Sequence, residues 1–73
     1  MKEYEIVCTY LNGCAGSAHP IRTFEEAELN DPDDYIRTKH GSEFHKFVKE
    51  IKENQIVYTF CDTVTYIYEF TEI

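Results

Sequence analysis

Residues 3–11 alternate. Tyr4, Ile6, Cys8 and Tyr10 fall on one side at period two, and Val7, Thr9 and Leu11 fall on the other. β-Branched and aromatic side chains dominate the stretch, which predicts a strand. Asn12-Gly13 is a turn signal that ends it, and residues 12–20, small and turn-forming throughout, read as a loop.

Two patterns compete over residues 21–30. Thr23 and Glu26 have capping-box spacing ahead of helix-tolerant residues, while Ile21, Thr23, Glu25, Ala27 and Leu29 alternate loosely. The segment is read as a short helix, with an extra short strand as the other option. Asn30-Asp31-Pro32 closes it, because a residue before proline is pushed out of helical geometry. Asp31 can then cap a new helical turn with Pro32 at its first position, running through Asp33-Asp34-Tyr35-Ile36-Arg37 until Gly41 breaks it.

Residues 42–53 carry the clearest helical period. Phe44, Phe47, Val48 and Ile51 recur at i, i+3, i+4 and i+7, an apolar stripe facing a core. Two strands follow, Gln55 to Cys61 and Val64 to Ile73, around Asp62-Thr63. An odd connecting loop puts Ile56, Tyr58 and Phe60 on one face with Tyr66, Tyr68 and Phe70; an even loop separates the two sets. The order implies one α+β domain spanning residues 1–73. Its expected centre is a three-stranded mixed or antiparallel sheet (β-α-β-β, order 1-3-2), with one amphipathic helix on one face.

Composition narrows the setting. With 73 residues the core is thin, and 42% hydrophobic residues make it a folding chain rather than a disordered one. The net charge is −7, from 14 acidic and 7 basic side chains. That balance repels phosphate backbones and anionic lipid, so neither nucleic acid nor membrane is expected as a partner. No apolar run reaches the roughly 20 residues of a membrane span, and no signal-peptide pattern opens the chain. Three cysteines, an odd and scattered set, point to reduced thiols in the cytoplasm rather than a disulfide framework.

Candidate chemistry is sparse. The loop Asn12-Gly13-Cys14-Ala15-Gly16-Ser17-Ala18-His19-Pro20 would let a ligand approach its backbone, but it matches neither phosphate-loop motif. Its tetrad Cys14-Ala15-Gly16-Ser17 resembles the Cys-x-x-Ser active loop of monothiol glutaredoxins, which implies a thiolate at a helix N-terminus. The resemblance stops at those four residues, since no proline precedes a later strand as it does in that family. Metal ligands would come from Cys8, Cys14, Cys61, His19, His40 and His45, none at zinc-site spacing, and no metal or cofactor is expected. The acids Glu25, Glu26, Glu28, Asp31, Asp33 and Asp34 break the calcium-loop pattern at once and read as caps and a solvated face.

The sequence thus suggests a small acidic interaction or regulatory module without catalysis, binding a protein partner or itself as a homodimer. One alternative is a thiol- or metal-dependent protein centred on Cys14, Ser17 and His19. The other is an acidic inhibitor that mimics nucleic acid. The homodimer follows from the many rings of the strands, which in most registers fall on both sheet faces, one of them left bare by a single helix.

Overall fold

A computed structural model describes residues 1–11 and 20–73 of the chain. The expected alternation of β1 (Lys2–Leu11) is realised: Tyr4 and Ile6 point into the core while Glu3 and Glu5 face away. β1 lies antiparallel to β5 (Thr65–Glu72), which in turn pairs antiparallel with β4 (Gln55–Cys61). These three strands reproduce the expected order of first, third and second. Cys61 pairs with Thr65 across a loop of three residues, the odd parity. Tyr58 and Phe60 therefore share a face with Tyr66, Tyr68 and Phe70.

Two strands absent from the expected three-stranded sheet extend it to five, in order β2-β1-β5-β4-β3. The first is β2 (Ile21–Leu29), where a short helix was the preferred reading. Its loose alternation was the governing signal: Ala27 pairs with Tyr4, Glu25 with Ile6 and Thr23 with Cys8. Pairing along the open edge of β1 runs over nine residues and bonds every second one to its partner, which outweighs the modest gain of a capping box. The second is β3 (Val48–Ile51), inside the segment read as the main amphipathic helix.

The helix itself lies earlier than expected. α1 (Pro32–His40) begins as proposed, with the Asp31 carboxylate accepting from the Asp33 N–H at 3.0 Å and Pro32 in the first turn. Gly41, with φ of 54°, caps its end, and the chain continues as a 3₁₀ helix over Gly41–Lys46. Helical geometry then stops at Phe47, which is extended. The stripe Phe44, Phe47, Val48 and Ile51 is accordingly split. Phe44 and Phe47 pack half-buried against the core, whereas Val48 and Ile51 are exposed on an edge strand. β-Branched residues suit a strand as well as a helix, and pairing with β4 decided between them.

The core is a sheet of rings beneath α1. Tyr4, Ile6, Tyr58, Tyr68 and Phe70 are buried around Ile36, which is fully enclosed. Phe70 meets Tyr4, Tyr35 and Tyr58 edge-on, with ring centroids 5.4 to 6.2 Å apart. The strand rings all belong to this one face, so the expectation that they spread over both faces does not hold. On the opposite face Phe24 is the exception, 71% exposed on β2.

Candidate functional site

Beneath α1, polar side chains meet the rings. Asp33, in the first turn, accepts a hydrogen bond from the Tyr58 hydroxyl and lies 3.1 Å from the Lys49 ammonium of β3. Arg37, one turn on, approaches Asp33 at 3.9 Å and Asp34 at 2.7 Å. Burial pushes the Asp33 carboxyl upward, but the Tyr58 and Lys49 hydrogen bonds with the charges of Lys49 and Arg37 outweigh it and hold it below the ordinary carboxylate value. At the other end of the helix, His40 Nε2 and the Tyr68 hydroxyl are 2.6 Å apart. Burial among Phe47, Tyr66 and Tyr68 lowers the His40 pKa and favours the neutral ring.

The phenols do not supply a base. Burial raises the pKa of Tyr58, Tyr35 and Tyr68, reinforced by Asp33 at Tyr58, by Glu25 at Tyr35 and by Cys8 at Tyr68. Each stays protonated and serves as a donor, so this cluster fastens the helix to the sheet at Tyr58, Tyr68 and Glu25.

Of the residues singled out from the sequence, Cys14, Ser17 and His19 lie outside the described residues. Cys8 is a half-buried free thiol beside a cavity of about 260 Å³ that also touches Tyr35, Lys39 and Tyr68. Cys61 is exposed at the end of β4. His45 is exposed, and among the described residues no three His, Cys, Asp or Glu side chains gather as a metal site. A larger open groove of about 700 Å³ crosses the far end of the sheet, between Tyr4, Ile56 and Phe70, with the Lys2–Glu72 ion pair (3.4 Å) at its rim. No described helix is long and apolar enough to cross a membrane.

The least compensated charges lie on the other face of the sheet. The β1–β2 register sets Glu3 opposite Glu28 and Glu5 opposite Glu26. Like charges directly opposite each other across two strands are destabilising. All four carboxylates are exposed, and among the described residues no cation comes within ion-pair distance of any of them. The next rung carries Phe24, Val7, Glu69, Val57 and, on β3, Glu50. A shallow concavity of about 290 Å³ opens between Glu5, Phe24, Glu25 and Glu26. No described helix packs on this side.

The Glu3/Glu5/Glu26/Glu28 quartet was missed in the sequence because the pairing of residues 21–29 was not known there. With that stretch taken as a strand, the parity of Glu26 and Glu28 would have placed them on the face of Glu3 and Glu5. Comparison with known proteins gives no precedent: no family model, no curated protein and no solved structure matches this chain.

Proposed function

We propose that the protein is a non-catalytic interaction module that binds a basic protein surface through the acidic face of its sheet. The two like-charged pairs, Glu3 with Glu28 and Glu5 with Glu26, carry this reading. In the isolated domain they oppose folding; against lysines or arginines of a partner the same four carboxylates become favourable contacts. Phe24, exposed beside them, supplies the aromatic anchor that protein interfaces favour near their centre. Val7 and Val57 provide a half-buried aliphatic floor between the strands.

Glu5→Gln combined with Glu28→Gln tests this, because it removes one member of each opposed pair. The double variant is expected to unfold at higher urea concentration than the parent, since the repulsion is relieved. It is also expected to lose the basic proteins that the parent captures from its native lysate at low salt. Salt itself should release them, as charge pairs on an exposed face are screened over about 10 Å at 0.1 M. A variant that captures the same basic proteins as the parent would refute the reading. Competition by duplex DNA for the same captured protein would identify the partner surface as one that also binds nucleic acid.

A further inference from the structure

The two edges of the sheet are built differently. β3 is only four residues long, and although it exposes Val48 and Ile51, so short an edge offers few backbone groups to an added strand. β2 is nine residues long with no proline, and among the described residues no strand pairs with its outer side. It exposes Phe24 at 71% and Ile21 at 59%. A long edge with exposed apolar side chains is a template for another strand.

We propose that β2 pairs antiparallel with β2 of a second copy of this chain, in the register centred on Phe24. The sequence of the strand is self-complementary about that residue. A two-fold axis normal to the sheet keeps both helices on one side and passes midway between the two copies of one residue. Centred on Phe24, it sets Arg22 of each copy opposite Glu26 of the other, Phe24 opposite Phe24, Ile21 opposite Ala27 and Thr23 opposite Glu25. Both Arg–Glu pairs and the Phe–Phe pair fall on the face away from the helix, where their side chains can meet directly. Neighbouring registers lose this match. Centring on Glu25 places two carboxylates on the axis and sets Phe24 against Glu26; centring on Thr23 leaves Glu26 beyond any β2 partner and sets Arg22 against Phe24. The result is a continuous ten-stranded sheet with β3 at both ends. This dimer draws Phe24 and Glu26 of the acidic face into its seam and leaves Glu3, Glu5 and Glu28 outside it, so the Glu5→Gln with Glu28→Gln variant leaves its pairs untouched and the two readings are tested separately.

Sedimentation equilibrium of the full chain at micromolar concentration tests it. The parent is expected to show the mass of two chains. Arg22→Glu alone, or Glu26→Arg alone, turns both symmetry-related pairs repulsive and should weaken the dimer by about tenfold or more. The combined swap Arg22→Glu with Glu26→Arg restores opposite charges and should recover the dimer. Phe24→Asp, which sets two carboxylates at the axis, should give a single chain with unchanged circular dichroism. Val48→Lys on the β3 edge should leave the mass at two chains. A parent that sediments as one chain would overturn the proposal, as would a combined swap no better than either single change, or dissociation by Val48→Lys.

Discussion

Asp33→Asn probes how the helix is held to the sheet. Three groups converge on this carboxylate: the Tyr58 hydroxyl, Lys49 Nζ at 3.1 Å and an Arg37 nitrogen at 3.9 Å. Its side chain is 19% exposed, against 39% for Lys49 and 52% for Arg37. Asparagine keeps an oxygen for Tyr58 but no charge. A hydrogen bond to a charged group contributes about 1.5–3 kcal/mol, whereas an exposed ion pair contributes about 0–1 kcal/mol. With both cations well wetted, the first effect dominates, and the variant should lose about 2 kcal/mol at neutral pH. In a domain of this size that lowers the melting midpoint by about 8–16 °C.

The pH dependence separates this from a general packing defect. Because the folded-state pKa of Asp33 lies below its ordinary value of 3.8, the charged form stabilises the fold above that value. The contribution fades as pH falls through the folded pKa. The gap between parent and variant in urea titrations followed by circular dichroism should therefore be widest near pH 7 and shrink towards about pH 3. Asp34→Asn is the control, since it removes the same charge from the same helical turn. Its partner Arg37 is also exposed, so it should cost only about 0.3 kcal/mol. A gap that does not change with pH, or an Asp33→Asn loss no larger than that of Asp34→Asn, would refute the account.

Two further outcomes follow from burial. Ile36→Ala, at a fully enclosed position, should cost about 2–5 kcal/mol, while Phe47→Ala, at a half-buried one, should cost about 2 kcal/mol; urea midpoints in which Phe47→Ala is the worse of the two would contradict the placement of the core. The His40 ring should titrate by NMR below 6.5, so the folded state takes up its proton later than the unfolded chain and stability falls as pH drops below 6.5; a midpoint at or above 6.5 would place the ring outside its aromatic pocket.

Local rules read the centre of this fold well and its edges poorly. β1, β4 and β5 announce themselves because each has a buried face, so period two is written into Tyr4/Ile6/Cys8, Ile56/Tyr58/Phe60 and Tyr66/Tyr68/Phe70. The start of α1 is equally local, a matter of Asp31, Pro32 and one carboxylate-to-amide bond. β2 and β3 lack such signals. Seven of the combined thirteen positions are charged or threonine, and most side chains are exposed, so little apolar burial imprints a period. Their conformation comes from the edges of β1 and β4 that they pair with, not from a pattern of their own. The helical stripe at Phe44, Phe47, Val48 and Ile51 misleads for the same reason: Phe44 and Phe47 do reach the core, yet a sheet edge claims the next four residues.

The same distinction governs what could be read of the interaction surface. Six acids between Glu25 and Asp34 look alike as a run of residues, and capping a helix is a fair account of all of them. Folding sorts them into unlike roles. Asp31 caps α1, Asp33 ties it to Tyr58 and Lys49, and Glu25 accepts the Tyr35 hydroxyl. Glu26 and Glu28 are set against Glu5 and Glu3 instead. A −7 net charge is a property of composition, but an uncompensated charge is a property of register. Since one residue of slip would move every β2 side chain to the other face, the register that builds this acidic surface is fixed by what lies behind it: Ala27 and Leu29 packed against the core, and Glu25 held by Tyr35. The helix-covered side of β2 thus determines which carboxylates the open side presents, and a partner reading that open side reads the packing of the core at one remove.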